Sequence, residues 1–103
     1  MPMTPNFIAK ITLYSTDSGG RKSPIVGGWQ GTDSFFGCPC KFDPKDFSAW
    51  DCRVLNGMEY LHPGETKDFG IVFFSPEIVP AMQKVTKFYL WEGRIIGEAT
   101  AHL

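Results

Sequence analysis

Ser15-Thr16-Asp17-Ser18-Gly19-Gly20-Arg21-Lys22-Ser23-Pro24 separates two apolar runs, and its reading decides the fold. Ahead of it, residues 7–14 alternate. Phe7, Ala9, Ile11 and Leu13 share one face, while Lys10 and Thr12 lie on the other. That period of two marks a half-buried strand. The stretch itself is turn chemistry. Two adjacent glycines permit positive φ at successive positions, and Asp17 and Ser18 can hydrogen-bond nearby backbone. Pro24 cannot donate to a ladder, so it belongs at a strand start or on an edge. Arg21 and Lys22 project from the loop tip. The stretch is either a plain hairpin connection with solvating cations or an anion-facing loop. It has an echo near the end of the chain, Glu92-Gly93-Arg94-Ile95-Ile96-Gly97.

Further strands are expected between turn signals. Ile25 and Val26 open a second run that Gly27 and Gly28 bend or bulge. Residues 34–37 are a third candidate and residues 51–55 a fourth. Asn56-Gly57 then signals a hairpin, with residues 58–61 as the short partner strand. Pro63-Gly64 turns the chain again. Residues 68–74 end in an apolar run on both faces, so this strand is expected to be central and covered. Residues 77–84 are ambiguous, because Pro80 forbids a long helix; a single turn or an irregular connection is expected. Residues 85–91 and 94–101 make a final hairpin around Glu92-Gly93. The fold class is therefore all-β: a small closed antiparallel barrel of six or seven strands, which also removes sheet edges. Ile11, Leu13, Ile71, Phe73, Phe88 and Leu90 are expected in its core.

The same residues carry a family resemblance. Asp17-Ser18-Gly19-Gly20-Arg21-Lys22-Ser23-Pro24-Ile25, followed by Gly28-Trp29, resembles the opening of the third, C-terminal β-barrel domain of elongation factor Tu. There a strand leads into Glu-Gly-Gly-Arg-His-Thr-Pro and then Gly-Tyr. His62-Pro63-Gly64-Glu65 is similar to that domain's Pro-Gly turn, and Ser75-Pro76-Glu77 to its polar-Pro turn after a strand. The run from Phe88 to Gly97 resembles its closing hairpin, Arg-Glu-Gly-Gly-Arg-Thr-Val-Gly. The likeness covers nearly the whole chain. It departs in three places: one glycine precedes Arg94 instead of two, Gln30-Gly31-Thr32 replaces Arg-Pro-Gln, and residues 38–54 have no counterpart. The resulting division is an N-terminal tail, 1–6, and a barrel, 7–103, with a divergent loop insertion at about 38–54. The resemblance reaches no GTP-binding domain, so no GTP binding is expected.

Composition sets the function classes. A chain of 103 residues is one domain on length, and 43% hydrophobic residues with a net charge of −1 do not describe a disordered chain. No apolar run approaches the roughly 18–20 residues of a membrane span. The N-terminus lacks a cationic segment followed by an apolar one, so a cytoplasmic protein with no membrane partner is expected. Three cysteines, an odd number, argue against a complete disulfide framework. Cys38-Pro39-Cys40 with Cys52 admits a metal site, a redox disulfide or ordinary packing. The spacing departs from Cys-x2–4-Cys and lacks a fourth ligand, which favours packing. His62 and His102 have no nucleophile in a recognised arrangement, so neither an enzymatic activity nor a cofactor is expected.

Two binding roles remain. The resemblance implies that Arg21, Lys22, Ser23 and Arg94 form one surface that meets a structured RNA such as tRNA. Cations on glycine turns can approach phosphates closely. Ten Lys and Arg against eleven Asp and Glu speak against an unaided RNA binder. The other role is a protein-interaction domain that reuses the barrel, as a neutralising or regulatory partner of another protein. Phe47 and Trp50 would then be its anchors. Phe42, Phe47 and Trp50 are otherwise expected to cap a barrel end.

Overall fold

Strand β1, Phe7–Leu13, buries Phe7, Ala9, Ile11 and Leu13 and turns Ile8, Lys10 and Thr12 outward, as its alternation requires. The computed structural model describes residues 5–25, 36–55, 59–85 and 87–102. Five more strands follow among the described residues: β2, Phe36–Lys41; β3, Trp50–Leu55; β4, Thr66–Phe73; β5, Phe88–Trp91; and β6, Ile95–Ala101. All pair antiparallel, and they close into a barrel in the order β1-β4-β3-β2-β5-β6. Strand β1 joins the two halves: Ala9 lies opposite both Phe69 of β4 and Ala101 of β6.

The six expected core residues are all buried. Strand β4 alternates Phe69, Ile71 and Phe73 into the interior. Gly70 points outward beneath Pro5, where an added Cβ would come within 2.8 Å of the proline ring. At one end of the barrel the rings of Phe7, Phe73 and Phe88 form a triangle with centroids 6.1 to 6.2 Å apart. The connection from β4 to β5 lies at this end. It is helical: a 3-10 turn, Pro76–Ile78, runs into the helix α1, Val79–Lys84. Ile78 and Met82 project from it into the core. Pro80 does not interrupt α1 because it sits in the first turn, where no intrahelical N–H bond is lost. The other end is closed by Ile25 and Leu61, both fully buried and joined by an isolated bridge.

Several sequence expectations are corrected. Residues 38–54 are not a loop insertion. They hold most of β2 and β3, a hairpin of the barrel wall with Cys38 opposite Cys52. Strand β3 does not turn back on residues 58–61; it pairs with β4, Val54 opposite Ile71. Asn56, Gly57 and Met58 lie outside the described residues, and Glu59 and Tyr60 are not in a strand. The bend at Val26-Gly27-Gly28, Trp29, and the start of the third candidate at Ser34 and Phe35 also lie outside them. The final hairpin forms as expected, with Gly93 at φ 76° in its turn.

The outer seam between β1, β6 and β5 is tied by a polar chain. Tyr14 Oη donates to Glu98 Oε1 at 3.0 Å, and Lys87 Nζ meets Glu98 Oε2 at 2.8 Å. The hydrogen bond from Lys87 holds the Glu98 carboxyl below its ordinary range. Partial burial, and then Glu98 itself, push the Tyr14 phenol from 10.0 up to about 12.

Two outcomes follow from this packing. Phe73→Ala should cost about 3–5 kcal/mol in chemical denaturation, a large share of the roughly 5–15 kcal/mol of a small domain. A phenol with a raised folded pKa adds stability that is complete below its ordinary value and lost as pH rises through the folded one. Wild-type stability should therefore fall between pH 10.0 and about 12. Titrating denaturation midpoints across that range should show a shallower fall for Tyr14→Phe.

Candidate functional site

The two Gly-Arg turns meet. Residues 14–25 leave β1 at the barrel end where β5 turns into β6, and Arg94 donates from Nη2 to the Gly20 carbonyl at 3.0 Å. Arg21 reaches back across the same junction, Nη1 to Glu92 Oε2 at 3.5 Å, and its Nη2 lies 3.3 Å from Ser23 Oγ. Thr16 Oγ1 donates to the Arg21 carbonyl at 2.7 Å. Arg21, Lys22, Ser23 and Arg94 thus share one end of the barrel. Their guanidinium groups serve first as braces between loops. Lys22 and Ser23 are exposed, and Glu92 lies among the cations.

The paired glycines act by different means. Gly19 supplies the left-handed conformation, φ 88°, after the 3-10 turn Thr16–Ser18. Gly20 does not have positive φ. It is packed so closely on the backbone of Tyr14 and Ser15 that any Cβ would collide with the Tyr14 carbonyl.

Phe47 and Trp50 belong to the opposite end, Phe47 on the loop from β2 to β3 and Trp50 as the first residue of β3. The three aromatic residues in and beside this loop behave differently. Phe42 and Trp50 pack partly buried against the core, whereas Phe47 is fully exposed. Phe42 and Trp50 thus help cap this end as expected, together with Ile78 and Met82, and Phe47 does not.

The loop that displays Phe47 is held by an unusual group. Lys41 is only 8% exposed. Its ammonium donates to the Asp46 carbonyl at 2.6 Å and lies 4.9 Å from the centre of the Trp91 ring. Three further bonds fold residues 43–46 on themselves: Lys45 N to Asp43 Oδ1 at 2.8 Å, Asp46 N to the Asp43 carbonyl at 3.0 Å, and Asp43 N to Asp46 Oδ2 at 3.1 Å. A buried lysine is rare unless it is paired. Here its bonds fix the residue just before Phe47. Sequence reasoning missed Lys41, because nothing in a lone lysine at a strand end signals that a loop will fold over it.

The cysteines face the core from β2 and β3 and are free. Burial pushes the Cys38 thiol up to about 12 and the Cys40 thiol well above its ordinary value. No group of three His, Cys, Asp or Glu among the described residues is arranged to hold a metal ion. The histidines are separate, His62 against Glu65 at 3.0 Å and His102 against Asp68 at 2.9 Å. No helix among the described residues is long and apolar enough to cross a membrane. The sequence matches no protein-family model and no curated protein.

Lys41→Met should keep the aliphatic packing and release the loop. Loss of the bond to the Asp46 carbonyl should cost about 1–3 kcal/mol. Hydrogen exchange should quicken at the Asp46 amide while the amides of β1 stay protected.

Proposed function

We propose that this chain is a non-enzymatic protein-interaction module whose contact residue is Phe47. The observation that carries this reading is a fully exposed phenylalanine on a loop held by a buried lysine. Exposing a large apolar ring to water brings no folding benefit, and pre-ordering the loop lowers the entropy cost of binding. Aromatic anchors of this kind carry a disproportionate share of interface energy. The barrel is then a rigid support for one loop, and the near-neutral charge suits a protein partner.

A second reading rests on a separate observation, the junction of the two Gly-Arg turns through Arg94 and Gly20. It keeps the likeness to the third domain of elongation factor Tu and makes the end bearing Arg21, Lys22, Ser23 and Arg94 a surface for structured RNA in the cytoplasm. Glu92 beside Arg21 lowers the positive potential there, which ranks this reading second.

Affinity capture with the wild type, Phe47→Ala and the double variant Arg21→Ala/Arg94→Ala, each with and without nuclease, separates the two. Phe47→Ala should weaken the partner by about 2 kcal/mol or more, roughly 30-fold, with stability changed by no more than about 0.5 kcal/mol. Partners that disappear on nuclease treatment and with the double variant, but persist with Phe47→Ala, would overturn the protein-interaction reading in favour of RNA.

A further inference from the structure

We propose that Cys40 and Cys52 form a disulfide that clips β2 to β3 at the base of the Phe47 loop, leaving Cys38 as the free thiol. Strand register by itself selects a different pair, because Cys38 lies directly opposite Cys52 and Cys40 lies opposite Trp50. The side chains reverse that choice. Cys40 Sγ and Cys52 Sγ are in contact, 2.7 Å apart, inside the barrel. The Cys38 thiol turns toward β5 instead, 3.4 Å from the Trp91 carbonyl. The twist of the hairpin thus brings the diagonal pair together and parts the opposite one.

Access comes from the barrel's shortest seam. Strands β2 and β5 pair only through Cys40 with Leu90 and Lys41 with Tyr89 among the described residues. By contrast, β1 and β4 pair over six residues. Pro39, between the two cysteines of β2, has no N–H to give to either neighbour. Local opening concentrates where few ladder bonds must break, and this seam covers the thiols. While it is closed, burial keeps the Cys38 and Cys40 thiols protonated and inert.

The reaction is exchange with a small-molecule disulfide such as oxidised glutathione. On opening, one thiol gives its proton to water and its thiolate attacks the small disulfide. A mixed disulfide forms and one small thiolate leaves. The second cysteine, deprotonated in turn, attacks the protein sulfur of that mixed disulfide. The Cys40–Cys52 bond forms and the second small thiolate leaves. Two protein thiols are oxidised and one small disulfide is reduced to two thiols, the two protons given up by the cysteines being taken up by the two leaving thiolates.

The test is incubation of the folded protein with oxidised glutathione, then quenching, denaturation and alkylation. Two of the three thiols should be lost to alkylation, with no glutathione retained. Fragment-ion sequencing should place the single alkyl group on Cys38. Cys38→Ser should still lose both of its thiols. Three alkylated cysteines, a stable glutathione adduct, or an alkyl group on Cys40 in the oxidised protein would each overturn the assignment.

Discussion

Six short strands must turn alternate side chains into one interior, and the join between β2 and β5 is where that condition is met most narrowly. Among the described residues each other seam is a ladder of at least four residue pairs, and this one has two. What the backbone lacks there, side chains provide. Leu90 and Cys40 are both fully buried behind the seam, and Lys41 lies across its outside on the Trp91 ring. The buried lysine, Cys38, Cys40 and the loop bearing Phe47 all lie along this one join.

The two ends of the barrel are closed by unlike means. One end uses apolar volume: the ring triangle of Phe7, Phe73 and Phe88, with Ile78 and Met82 from the helical connection above it. With Phe42 and Trp50 also packed against the core there, Phe47 is not needed for closure and faces water. The other end adds close backbone fit to the buried pair Ile25 and Leu61. Gly20 lies flat on the Tyr14 carbonyl, Arg94 braces the Gly20 carbonyl, and Gly64 donates to the Leu13 carbonyl at 2.7 Å. Cations employed as braces at that end are less available to a phosphate than cations on a bare turn. This is why the conspicuous Gly-Arg motifs rank behind a single phenylalanine as a contact site.

Local sequence determined much of this protein. Alternation in residues 7–14 and the Glu92-Gly93 turn each depend on near neighbours, and each formed as read; β4 formed as a strand, but its outer face is not covered as expected, since Val72 is only partly buried and Phe74 just beyond it is half exposed. The all-β class and the six named core residues also came out as read, because a period of two with frequent turns leaves few other ways to bury the apolar face. Tertiary structure decided the rest. Asn56-Gly57 is a strong hairpin signal, yet β3 pairs with β4, since a closed barrel rewards the partner that completes the wall. Residues 38–54 looked polar and irregular because Pro39, Asp51 and Arg53 point away from the core while the cysteines supply its apolar face. The cysteine pairing, the brace from Arg94 to Gly20 and the burial of Lys41 join residues distant in sequence or folded over in three dimensions. No local period encodes them, because each exists only once the barrel has closed and set the distances between its strands.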